Sequence, residues 1–286
     1  MTTRTLFSLV CVLCLCVGGC AKTAGDVKME KSKEEYGPHQ EYYLGRGVAA
    51  TLLGQYRPLH AQAANEYLNL LGQSLAQYST LPETFGGYRF LLLESAEINA
   101  FAGPGGLVLV TRGLVQCTSN EDELAAVLAH EIAHVQLRHG IGSLKEAQAA
   151  DAKATKGVEI ASLLMSFIPY GGGAASWLLE VGYEHGISDM VKTMASNGYS
   201  REAEFAADQA ALVILREAGY SEAALASMLR NMSGRLVAGA GFGKTHPPPA
   251  DRLNALGSSG NTPANPVRQA RYQAALADVI SGRASQ

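Results

Sequence analysis

His130-Glu131-Ile132-Ala133-His134 constrains this chain more than any other five residues. Two histidines four positions apart share one face of a helix, so both imidazoles can reach a single metal ion. The glutamate after the first histidine sits about 100° round the helix and can address a water on that metal. The pattern therefore supplies two metal ligands and one general base. It is short enough to arise by chance, so its surroundings decide what it means.

Those surroundings read as a helix from Asn120 to His139. Asn120 is placed to cap it, and Glu121, Asp122 and Glu123 in the first turn suit the helix dipole. Leu124, Leu128, Ile132 and Val135 form an apolar stripe with the two histidines beside it, and Gly140 reads as the stop. A catalytic zinc takes three protein ligands and leaves one position open. The H-E-x-x-H-x-x-G-x-x-H pattern fails here, because Leu137 and Gly140 hold the required places. His139 falls on another side of such a helix and reads as a surface or helix-end histidine. A later pair, Glu204 and Asp208, shares a helix face at i, i+4. Glu204 could be the third ligand, with Asp208 accepting the free ring N–H of a ligating histidine. By spacing alone, a solvated acidic face is an equal reading, since Glu202 is adjacent.

At 286 residues the chain is long enough for a substantial core. A net charge of −3 gives no footing for nucleic acid or an anionic membrane surface. The N-terminus has its own character. Arg4 precedes an apolar run from Leu6 to Val17, too short to span a bilayer comfortably, and Val17-Gly18-Gly19-Cys20 follows. Small residues before a cysteine resemble a bacterial lipoprotein signal, with Cys20 as the lipidated residue; an ordinary secretion signal is the other reading. Ala21 after the cysteine favours, by resemblance to enterobacterial sorting, the periplasmic face of the outer membrane. Cleavage would leave Cys117 as the only other cysteine, with no intrachain disulfide to form. The expected organisation is a signal peptide over 1–19, a polar tether over 20–37, a folded domain over 38–258 and a tail over 259–286 with a helix from Pro266 to Ile280.

Within the domain, Gln40 to Tyr78 reads as two helices, the second beginning near Pro58. Arg89–Leu93, Ile98–Ala102 and Leu107–Val110 read as strands, the last two joined as a hairpin through Gly103-Pro104-Gly105-Gly106. Ser200 caps a helix over Arg201–Ala218 closed by Gly219, Ser221 caps another to Met232, and Gly234–Pro249 reads as a loop. Ile160 to Leu179 has no charge, but Pro169 and Gly171-Gly172-Gly173 break it. It reads as two hinged helices over the site, with a membrane-dipping segment as the minority reading. The fold class is α+β, mainly helical, with a small β-sheet and an HExxH helix.

Four ordered matches carry a family resemblance: Asn99-Ala100-Phe101-Ala102 with Pro104-Gly105-Gly106; His130-Glu131-Ile132-Ala133-His134; Ser200-Arg201 with Glu204 and Asp208; and His246-Pro247 with Asp251-Arg252-Leu253. Over roughly Gln40 to Leu256 the chain resembles the HtpX/BepA-like zinc metallopeptidases, relatives of the CAAX prenyl proteases and of the mitochondrial peptidase Oma. That resemblance implies a zincin-like domain holding one Zn²⁺ through His130, His134 and Glu204, with Glu131 as general base. It implies that Asn99, Ala100 and Phe101 lie on an edge strand to which an extended substrate adds. It also implies that His246 occupies the fourth zinc position and holds the enzyme resting; oxyanion stabilisation and plain loop structure are its other roles. Arg252 is expected to anchor that loop or pair with an acid near the site.

The function so implied is a zinc endopeptidase of the bacterial envelope, tethered to the membrane by lipid, acting on unfolded or misassembled envelope proteins. A periplasmic chaperone or assembly factor with a rarely proteolytic zinc site is the competing reading, and a membrane-embedded peptidase a third. The stretch after Leu256 is expected to be too short for a helical-repeat array, so partner-specific assembly roles are not carried over.

Overall fold

The helix carrying the two histidines has no solvent face. Every residue from Glu121 to Val135 of helix α4 (Glu121–Gln136) is buried, so the expected one-sided stripe is replaced by burial all round. The computed structural model describes residues 36–154, 184–236, 241–257 and 265–283. Cys20 and the Ile160–Leu179 segment lie outside these residues. From Gly37 onward the described elements form one compact unit.

Helix α1 (Pro38–Leu53) and helix α2 (Gln62–Ala76) precede a sheet of β1 (Arg89–Leu93), β2 (Ala100–Gly103) and β3 (Leu107–Thr111). The strand order is β1-β3-β2, with β1 parallel and β2 antiparallel to β3. Pro58 does not start α2. It lies in an extended stretch bridged to Leu93, where its missing N–H costs no ladder bond, and Leu59 N–H donates to Leu92. The β2–β3 turn is a tight helical turn over Pro104–Gly106, with Gly105 at φ 74°. Helix α1 packs on it so closely that a Cβ at Gly45 would lie 1.8 Å from the Pro104 carbonyl oxygen.

After the short α3 (Arg112–Val115), α4 runs through the middle. Helix α5 (His139–Ala154) follows, then α6 (Arg201–Glu217), α7 (Ala223–Ser233), the four-residue α8 (Phe242–Thr245), α9 (Pro249–Leu256) and α10 (Pro266–Ile280). The expected loop before Pro249 thus contains α8. Helices α2, α6 and α7 pack against α4, and their apolar residues join the sheet's in one core. Ser200 Oγ caps α6 by accepting from Ala203 N–H, with Gly219 beyond its end at φ 77°. Ser221 caps nothing with its side chain; α7 starts after Glu222. Gly140 is not the stop of α4 either, because Arg138 takes the left-handed conformation at φ 56°. Helix α10, expected in a tail beyond the domain, buries Tyr272, Leu276 and Val279 in the same core. Among the described residues no helix is long and apolar enough to cross a membrane.

The acids of the first α4 turn do more than suit a dipole. Asn120 Oδ1 accepts from Glu123 N–H at 2.9 Å. Glu121, fully buried, accepts from Tyr67 at 2.8 Å, from Tyr220 at 2.9 Å and from both Nε and Nη2 of Arg271. Asp122 pairs with Arg268 at 2.8 Å, and Glu123 accepts from Ser227 and Asn231. Helices α2, α7 and α10 are thereby tied to the start of α4. Burial alone would raise the Glu121 carboxyl, but Arg271 and the two phenols hold it below its ordinary value. Arg271→Ala should cost about 2 kcal/mol in urea denaturation at neutral pH, less than a fully buried pair because Arg271 is half exposed. Because the Glu121 value is depressed, this stabilisation is present above the ordinary carboxylate value and is lost as the pH falls through the lowered one. The gap between wild type and variant should close in acid.

Candidate metal centre

One turn of α4 and one turn of α6 face each other at the centre of the core. His130 and His134 come from α4, Glu204 from α6, and His246 from the residue that follows α8. One ligand atom from each of the four lies within 4.8 Å of all the others. His130 Nε2 and His134 Nε2 are 3.1 Å apart, and each is 3.5 Å from a Glu204 oxygen. A tetrahedron about zinc with bonds of about 2.0–2.1 Å has edges of about 3.3–3.4 Å, so these spacings suit that ion. His246 Nδ1 lies 2.7 Å from Glu204 Oε2, with Phe242 stacked on its ring at 3.8 Å.

The outer faces of the rings are also occupied. His130 Nδ1 lies 3.0 Å from Asp208 Oδ1, one α6 turn beyond Glu204. Asp208 in turn accepts from Arg252 Nε at 2.9 Å and again from its Nη2; both residues are buried. Arg252 lies on α9, whose Asp251 pairs with Arg201 at the start of α6 at 2.9 Å. Two ion pairs thus lock α9, and the His246 loop before it, onto the helix that carries Glu204. On the other ring, His134 Nδ1 lies 2.8 Å from His139 Nδ1. The expectation of a surface His139 is therefore overturned. Arg138 reverses the chain after α4 and returns His139 to the site. Tyr199, which spacing did not single out, stacks on the His134 ring at 4.7 Å and 25°.

The electrostatics ask for positive charge at the centre. Burial and Arg252 push His130 down, but its hydrogen bonds to Asp208 and Glu204 outweigh them and raise it to about 9. Glu204 is pushed up by burial, yet His246 and His134 hold it well below the usual carboxylate range. Asp208 is likewise lowered, with Arg252 and His130 overcoming its burial. Burial pushes His134 well below its ordinary value. Glu131 is raised, chiefly by burial, as suits a group that takes up a proton. Its Oε1 and that of Glu204 are buried without a hydrogen-bond partner. Two facing imidazole nitrogens, a depressed carboxylate and an orphaned carboxylate oxygen fit a zinc ion and its water.

Asn99, Ala100 and Phe101 have buried side chains. Thr111 N–H donates to Asn99 carbonyl, so by antiparallel alternation Ala100 and Ala102 turn their backbone groups away from β3. The Ala100 N–H is taken by Asn99 Oδ1 at 3.0 Å. Phe242 N–H donates to Ile98 carbonyl at 2.8 Å, tying the start of this strand to the His246 loop.

Removing the Asp208 carboxylate should loosen His130. Asp208→Ala combined with Arg252→Leu, which avoids stranding a buried guanidinium, should weaken zinc binding on the order of 10- to 100-fold in chelator competition.

The Peptidase family M48 profile matches residues 62–259. The beta-barrel assembly-enhancing protease of Escherichia coli K12 is 28% identical over 193 residues, covering 68% of this chain and 37% of that protein. The protein of the same name from Yersinia pestis is 32% identical over 178 residues, 62% of this chain and 34% of its own length. The mitochondrial metalloendopeptidase OMA1 of Schizosaccharomyces pombe is 28% identical over 161 residues, 55% of this chain and 42% of its own length. The chain thus spans about two fifths of the length of the curated relatives it matches.

Proposed function

Because the chain belongs to peptidase family M48, we propose that it is a zinc-dependent endopeptidase of the bacterial cell envelope that hydrolyses unfolded or misassembled envelope proteins. The observation that carries this reading is the convergence of His130, His134, Glu204 and His246 within 4.8 Å, with Glu131 buried beside them. The relatives, a beta-barrel assembly-enhancing protease and a mitochondrial metalloendopeptidase, support it.

His130, His134 and Glu204 would hold the ion, and zinc there supplies Lewis acidity toward a water and a peptide carbonyl. Glu131 takes the proton of the attacking water and passes it to the leaving amine; its raised carboxyl favours the first of these, the uptake of the proton. Asp208 and Arg252 keep His130 turned with Nε2 inward. An extended substrate pairs with the outward backbone groups of Ala100 and Ala102, with Asn99 releasing the Ala100 N–H as it does so. Backbone pairing demands little of substrate sequence, which suits unfolded chains. His246, held against Glu204 by Phe242, stands where the substrate carbonyl must come and keeps the site resting.

Lipidation at Cys20 would place this chemistry at the periplasmic face of the outer membrane; an ordinary signal would leave it in the periplasm. A chaperone or assembly factor with a rarely proteolytic site is the alternative, favoured by the closeness of His246 to Glu204.

Glu131→Gln should bind zinc like the wild type and lose cleavage of a reduced, carboxymethylated protein followed by gel electrophoresis; retained cleavage removes Glu131 from the chemistry. His246→Ala should cleave the same substrate faster than the wild type, whereas slower cleavage would assign His246 to oxyanion stabilisation.

A further inference from the structure

A histidine ligand works only if its second nitrogen has a partner that fixes the ring and its tautomer. His130 has Asp208 for this. Among the described residues no carboxylate meets that side of His134; its Nδ1 faces His139 Nδ1 at 2.8 Å. The tautomer follows from the site. His134 Nε2 is turned toward His130 and Glu204, so in a metal-loaded centre it must carry a lone pair. The His134 proton then sits on Nδ1, and the atom facing it must accept. His139 Nδ1 can do so only as a bare nitrogen, with its own proton on Nε2.

The backbone is arranged to make this contact. Five residues along an unbroken helix the two side chains would point apart. The left-handed Arg138 breaks the helix between them, and that residue pairs with the buried Glu41 on α1. A non-glycine residue is disfavoured in this conformation, yet the fold keeps it here. Tyr199 covers both rings, at 4.7 Å from His134 and 5.7 Å from His139. Gly140 lets the turn press on Pro104, since a Cβ there would already lie 3.1 Å from the proline Cγ.

We propose that His139 is the positioning residue of the second metal ligand, accepting the His134 Nδ1–H and so holding its Nε2 toward the ion. This rests on the zinc-site reading above. It gives the two ligating histidines unlike supports, a carboxylate tied to arginine for His130 and a neutral imidazole for His134.

The test compares His139→Leu with His139→Asn in the full chain. Asparagine places an amide oxygen near the position of Nδ1 and keeps the acceptor; leucine removes it. Thermal melts of the chelator-treated proteins establish that both variants fold. Zinc affinity, read by competition with a fluorescent chelator, should fall on the order of 10- to 100-fold in His139→Leu. In His139→Asn it should stay close to the wild-type value. Equal losses in both variants, or none in His139→Leu, would overturn the assignment while leaving the zinc site standing. A wild-type protein that binds no zinc would instead remove the metal reading itself, and this inference with it.

Discussion

Two imidazole nitrogens 3.1 Å apart face one buried carboxylate at the centre of the core, and a cation among them would satisfy all three. The arrangement of the whole domain follows from having to hold that cluster. Asp208 and Glu204 together hold His130 up to about 9 although burial and Arg252 oppose it. The candidate ligands His130, His134 and Glu204 come from two helices packed face to face. Burial of α4 on all sides keeps bulk water away from the cluster.

The supporting contacts lie in concentric layers. Asp208 and His139 back the two histidines. Arg252 neutralises Asp208, and its helix is fastened again by Arg201 and Asp251. Farther out, Glu121 gathers Tyr67, Tyr220 and Arg271, so that α2, α6–α7 and α10 meet at the start of the active helix. Among the described residues Glu41, Glu121, Asp122 and Asp208 are buried acids with an arginine partner, whereas Glu131 Oε1 and Glu204 Oε1 have no hydrogen-bond partner. A shift of α9, and of the His246 loop before it, therefore reaches His130 and Glu204 through the Arg252–Asp208 and Asp251–Arg201 pairs.

Much of this was legible in the residues. The pattern His130-Glu131-x-x-His134 requires a helix, and Asn120 marks its start, because capping and i, i+4 spacing are local. The strand limits at Arg89–Leu93 and the Pro104–Gly106 turn also follow from local chemistry. Spacing left Glu204 and Asp208 open between ligands and a solvated face; family resemblance favoured the ligand reading, and the structure buries both beside His130. What escaped depends on distant partners. Pro58 was read as a helix start because its bridge to Leu93 is invisible in sequence. His139 was placed on the wrong side because nothing in the residue type announces a left-handed arginine. The one available signal, a basic residue followed by histidine just beyond the motif, gains meaning only once Glu41 is found opposite Arg138. In sequence Glu121 reads only as a dipole complement, since its three partners come from α2, the α6–α7 connection and α10.

X-ray absorption at the zinc edge on the purified protein, together with its metal content, addresses the centre directly. One zinc per chain should be found, in a shell of nitrogen and oxygen at about 2.0–2.1 Å with outer-shell scattering from imidazole rings. A chain that retains no zinc, or a shell containing sulfur or built of oxygen alone, would contradict a site made of His130, His134 and Glu204.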